Sequence, residues 1–122
     1  MNKSVLLVDD DPNLLLLLSD YLQYKGLECS TAESINEGLE LYTKSNPDLV
    51  ISGIAMQTRK CGYRFLQQIR DHNIEQPFIY LSAQLSDPVS KRYASRLGVD
   101  ACVAKPFEPD ELLEEVHRAL QV

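Results

Sequence analysis

Val5-Leu6-Leu7-Val8-Asp9-Asp10-Asp11-Pro12 packs four apolar residues, three acids and a proline into eight consecutive positions. A short continuous apolar run that ends in a turn signal fits a strand covered on both faces. Asp11-Pro12 then opens a helix, because proline's fixed φ and missing N–H suit the first helical turn. Leu14, Leu18 and Leu22 follow at helical spacing and are expected to form its buried stripe. The stretch therefore reads as one βα unit with acids at the carboxyl end of its strand.

The same alternation continues outward. Further strands are predicted over Glu28–Thr31, Leu49–Ser52, Phe78–Leu81 and Ala101–Ala104. Ser34-Ile35-Asn36-Glu37 fits a capping box, after which Ile35, Leu39 and Tyr42 share a face. A third helix is expected from about Tyr63 to Asp71, burying Phe65, Leu66 and Ile69. Asp87-Pro88 opens a fourth, with Val89, Tyr93 and Leu97 spaced by four and Gly98 as its stop. The last begins near Pro109 and turns Leu112, Val116 and Leu120 inward. Five βα units make one α/β domain over residues 1–122.

Composition narrows the function classes. The 122 residues are 44% hydrophobic and 25% charged, with a net charge of −6. An acid excess argues against a nucleic-acid-binding surface in this segment, since phosphate contacts need clustered Lys and Arg. Leu14 to Leu18, the longest apolar run, is far too short to span a bilayer. No basic leader precedes the first strand. Cys29, Cys61 and Cys102 lack both paired and metal-ligand spacing, so the chain reads as cytoplasmic with reduced thiols.

Open parallel α/β sheets bind ligands outside the carboxyl ends of their strands. Asp9 and Asp10, Gly53, Ser82 and Lys105 all fall at such ends. Asp11 reads as a helix cap rather than a metal ligand. Ser52 precedes Gly53 and should point to the opposite face of the sheet. Gly53 read alone would admit a turn or bulge after its strand.

Together these residues resemble the receiver domain of two-component response regulators. The resemblance rests on Val5 to Pro12, Pro47-Asp-Leu-Val-Ile-Ser52, Gly62-Tyr63, Pro77-Phe-Ile-Tyr-Leu-Ser-Ala83 and Lys105-Pro-Phe107, which recur in order over essentially the whole chain. It implies a flavodoxin-like (βα)5 three-layer sandwich, with a five-stranded parallel sheet in order 2-1-3-4-5. It also implies that Asp9, Asp10 and the backbone carbonyl of Ala55 would hold Mg²⁺, that Ser82 is the switch hydroxyl, that Lys105 pairs with the phosphoryl group, and that the Lys105–Pro106 bond is cis.

The resemblance also exposes departures. Gly53 stands where the family has its phosphoacceptor Asp, Gln57 where Pro is common, Cys61 where an acid is common, and Cys102 where the switch aromatic sits. With the acceptor carboxylate gone, Mg²⁺ is expected to be weak or absent. Cys29 and Cys102 are expected to be small core residues.

The implied function is a non-enzymatic signalling receiver that works without phosphorylation, through protein contacts or dimerisation. Its partner would be a histidine kinase or another signalling protein. The expected contact face comprises the fourth helix, fifth strand and fifth helix, with Arg92, Arg96, Asp100, Glu111, Glu115 and Arg118. The alternative is an ordinary phospho-accepting receiver silenced by an Asp-to-Gly change at Gly53. A third reading places a free phosphate in the space beside Lys105 and Ser82. The chain would suit a stand-alone receiver or the N-terminal part of a longer regulator, including a transcriptional one.

Overall fold

The computed structural model describes residues 2–53, 59–82 and 98–121, with the backbone alone at 59–63 and at Ser82. Five parallel strands, β1 (Ser4–Val8), β2 (Glu28–Ala32), β3 (Leu49–Gly53), β4 (Phe78–Ser82) and β5 (Ala101–Ala104), form one sheet in order β2-β1-β3-β4-β5. The strand order is the expected one. Among the described residues there are four helices: α1 (Pro12–Tyr24), α2 (Ile35–Ser45), α3 (Arg59–His72) and a C-terminal helix (Pro109–Leu120). The helix predicted after Asp87-Pro88 falls in residues 83–97, outside those described.

The sheet buries both faces. Val5, Leu7, Leu49, Ile51, Ile79 and Leu81 pack with Leu15, Leu18, Leu112 and Val116 beneath α1 and the C-terminal helix. Leu6, Val8, Val50, Phe78 and Tyr80 pack with Tyr42, Phe65, Leu66 and Ile69 beneath α2 and α3. All residues of β3 are buried, as a strand at the centre of a two-sided sheet requires. The helix α2 approaches β1 closely at Gly38, where an added Cβ would lie 3.1 Å from Val8 Cγ2.

Local capping follows the sequence. Asp11 Oδ1 accepts hydrogen bonds from Asn13 N at 3.0 Å and Leu14 N at 3.3 Å. Ser34 Oγ accepts from Glu37 N at 3.2 Å. Each side chain satisfies backbone donors that the first helical turn leaves open.

Four expectations are corrected. Leu15, rather than Leu14, joins Leu18 and Leu22 in the buried stripe of α1, and Leu14 is only half-buried. A run of five leucines leaves the helical phase ambiguous until the sheet selects a face. The helix α3 starts at Arg59, four residues before Tyr63. Gly53 is the last ladder residue of β3, opposite Leu81, and not a turn or bulge. Its φ also lies outside the left-handed region, which Gly26 and Gly98 do adopt, at +94° and +71°. Cys29 and Cys102 are half-buried at the margins of the two cores, not enclosed in them.

A polar network missed from sequence ties the opposite end of the sheet together. Tyr42 Oη donates to Gln76 Oε1 at 3.2 Å, and Gln76 Nε2 donates to the carbonyls of Pro47 and Pro77 at 3.3 and 3.2 Å. Arg70 donates to the carbonyls of Gln76 at 2.6 Å and Gly98 at 3.0 Å. The buried Gln76 amide is thereby satisfied.

Candidate functional site

Strand register brings the candidate residues to one rim. Val8 pairs with Ser52, Gly53 with Leu81, and Ser82 with Ala104, so Asp9, Gly53, Ser82 and Lys105 all stand at the carboxyl edge of the sheet. Lys105 follows β5 directly, and its peptide bond to Pro106 is cis, as expected.

Asp9 sits at the centre of the rim, buried to 2% exposure. Its backbone N–H donates to the Ala32 carbonyl at 3.0 Å, which holds the residue in line with the sheet. Its carboxylate is engaged on both sides. Oδ1 accepts from Asp11 N at 3.0 Å, and Oδ2 accepts from Lys105 Nζ at 2.7 Å. The Lys105 side chain is 22% exposed and that of Asp9 3%, so the ion pair is largely withdrawn from water.

This carboxylate occupies space that Gly53 leaves free. A Cβ built on Gly53 would lie 2.1 Å from Asp9 Oδ2, 2.9 Å from Asp9 Cγ and 3.4 Å from Lys105 Nζ. Any larger residue would have to shift the Asp9 side chain, so glycine here answers to a side-chain contact and not to backbone conformation. The space expected beside Lys105 for a phosphate ion is taken by Asp9 on the Gly53 side, while its Ser82 side lies outside the described residues.

Asp10 is exposed and stands at the rim beside Asp9. Its carboxyl is held above the usual carboxylate range, first by partial burial and then by the hydrogen bond and negative charge of Asp9, with Lys105 opposing. Asp11 serves as the cap of α1. Ser52 is buried at 3% exposure, and its Oγ donates to the Gly53 carbonyl at 3.3 Å, so it offers no replacement acceptor. Cys102 lies opposite Tyr80 in the ladder and packs on the core beneath α2 and α3. Ala55, Gln57 and the side chains of Cys61 and Ser82 lie outside the described residues.

As arranged, the described donors do not suit Mg²⁺. Mg²⁺ takes six oxygens in near-octahedral geometry, usually one or two carboxylates with waters completing the shell, so it needs carboxylate oxygens that are free to turn to it. Here Asp9 directs one oxygen at an ammonium and the other at a backbone N–H. The third strand end supplies no carboxylate, and among the described residues no cluster of three or more His, Cys, Asp or Glu could hold a metal. Lys105 supplies the positive charge in this arrangement.

Of the residues expected on the contact face, Asp100 is exposed, and its Oδ2 also accepts from Phe78 N at 2.8 Å, which joins β4 to the start of β5. Glu115 and Arg118 form an exposed 2.7 Å pair on the C-terminal helix. Arg92 and Arg96 lie outside the described residues. No helix among the described residues is long and apolar enough to cross a membrane.

Comparison with known proteins places this rim in context. A family model described as the response regulator receiver domain matches residues 5–117. The transcriptional regulatory protein RprY of Bacteroides fragilis is 31% identical over 118 residues, spanning 96% of this chain and 49% of that protein. The response regulator SaeR of Staphylococcus epidermidis is 32% identical, over 95% of this chain and 49% of its own length. The chain thus spans about half the length of these curated relatives. Among solved structures, the chemotaxis response regulator CheY4 of Vibrio cholerae superposes with a TM-score of 0.87 at 28% identity, covering 98% of this chain and 99% of that one. The response regulator TrrA of Thermotoga maritima, solved in complex with Mg²⁺ and BeF, gives 0.80 at 36% identity, covering 96% and 98%.

Proposed function

The chain belongs to the response regulator receiver domain family of two-component signalling, and from that premise we propose that it signals without being phosphorylated at the end of β3. One observation carries the reading. Gly53 offers no nucleophile, and the space its side chain would take is held by the Asp9 carboxylate in an ion pair with Lys105.

Output then depends on the folded surface. We place the contacts, with a histidine kinase, another signalling protein or a second copy of this chain, on the face that includes β5 and the C-terminal helix. Glu111, Glu115 and Arg118 supply its described charges. Relatives named as transcriptional regulators suggest coupling to transcription in the whole protein. No enzymatic activity is assigned to the domain.

Incubation with acetyl phosphate and Mg²⁺, followed by intact mass measurement, tests the reading. The expected spectrum is unchanged; a stable gain of one phosphoryl group overturns it. The competing view, a conventional receiver silenced at one position, requires Gly53→Asp to accept phosphate. That carboxylate would first have to displace Asp9 from the same space.

A further inference from the structure

We infer that the rim has been converted from a divalent-cation site into a self-neutralised ion pair, in which the Lys105 ammonium takes the cation's role and Gly53 is the residue that makes the pairing possible. The inference rests on the reading of this site as non-accepting, and it adds what replaces the metal.

Asp9 is the buried acid of the rim, and any cation held there would have to use its oxygens. Oδ2 already meets Lys105 Nζ at 2.7 Å, and Oδ1 meets the Asp11 N–H at 3.0 Å. Each of these oxygens keeps a second lone pair, but a dication that used one would stand beside the Lys105 ammonium in a nearly buried site and would compete with it for the same carboxylate.

Gly53 completes the arrangement. With a 2.1 Å approach to Oδ2 and 2.9 Å to Cγ, a Cβ at this position would force the Asp9 carboxylate to turn out of its present place. The same Cβ would crowd Lys105 Nζ at 3.4 Å. Glycine and the Asp9–Lys105 pair therefore belong together. Asp10, the exposed neighbour that hydrogen-bonds Asp9, is the rim acid left for a cation, and with Asp9 shared with Lys105 the binding should be weak.

A Mg²⁺ titration of the whole chain, followed by amide NMR shifts at Asp10 and Asp11, tests this. The wild-type chain should show no saturable shifts at millimolar Mg²⁺. Lys105→Met, which releases the Asp9 carboxylate, should bind at least about tenfold more tightly. Gly53→Ala keeps every charge and turns Asp9 away from Lys105, so it should also gain affinity; it carries the test if Lys105→Met fails to fold. Saturable millimolar binding by the wild type overturns the inference, as does the lack of any gain in a folded variant. The readings separate cleanly: a wild type that binds Mg²⁺ but takes up no phosphoryl group sinks this inference alone, whereas phosphorylation sinks the proposed function.

Discussion

Asp9 Oδ2 lies 2.1 Å from the position that a β-carbon on Gly53 would occupy, so one residue's carboxylate fills the other's missing side chain. The usual rule for glycine in a strand is inverted here. In an ordinary strand, replacing glycine by alanine removes an entropic penalty of roughly 0.5–1 kcal/mol. At position 53 the added methyl must move a buried carboxylate. Gly53→Ala should therefore destabilise the chain by about 1–3 kcal/mol. Urea denaturation gives the sign directly, and a stabilised variant would contradict the described contact.

The Asp9–Lys105 pair should show strong coupling. Removing one partner leaves the other partly buried without compensation and costs about 3–5 kcal/mol. Asp9→Asn and Lys105→Met should each be strongly destabilising, and the double variant should lose clearly less than the sum. A double-mutant cycle by chemical denaturation measures this; additive losses would show that the pair contributes no coupling.

Adjacent leucines of α1 should differ sharply. Leu15 is 5% exposed, whereas Leu16 and Leu17 are 63% and 57% exposed. Leu15→Ala should cost about 2–5 kcal/mol, and the same change at Leu16 or Leu17 about 0.5 kcal/mol or less. Thermal melts of the three variants report which leucine of the run faces the sheet.

Asp10 should oppose folding at neutral pH. Its folded carboxyl titrates above the ordinary value of 3.8, so between the two values the folded chain holds more protons than the unfolded one. Stability from this residue falls as pH rises through that window, and the loss is complete above it. Asp10→Asn should raise Tm at pH 7 and have no such effect at pH 3. A lower Tm at pH 7 would place Asp10 in a stabilising contact instead.

Cys29 should be a poor nucleophile. Burial pushes its thiol from 9.0 to about 11, which lowers the thiolate fraction at neutral pH about a hundredfold. Because the unfolded thiol ionises first, stability falls as pH rises from 9 towards 11, and Cys29→Ala should lessen that fall. Alkylation of Cys29 followed by peptide mass mapping should be slow at pH 7.5; labelling as fast as in a denatured control would contradict the burial.

Much of the fold was legible because its signals are local. Asp11 was recognisable as a cap, since a side chain before Pro12 reaches N–H groups two and three residues on. Buried strands declared themselves as apolar runs, and Phe65, Leu66, Ile69, Leu112, Val116 and Leu120 all proved to be core. Less was legible where meaning depends on distant chain. Asp100 is the surface charge it looked like, but nothing near it in sequence showed that its carboxylate receives the N–H of Phe78, 22 residues away. Gln76 and Arg70 carried no pattern, because their partners are backbone carbonyls supplied by loops at the far end of the sheet.

The sequence by itself determined the βα order, the strand ends that carry chemistry, and the absence of a carboxylate at Gly53. These follow from residue type, and from periodicity over a few neighbours. Only the tertiary structure decided what fills that absence. Asp9 and Lys105 are 96 residues apart, and Gly53 comes from a third strand, so their meeting depends on the register of four strands, β1, β3, β4 and β5. A buried carboxylate must find a counter-charge or hydrogen-bond donors, and a cavity beside it is filled by the nearest group able to turn into it. At this rim one movement satisfies both demands: Asp9 occupies the space left by glycine and pairs with Lys105.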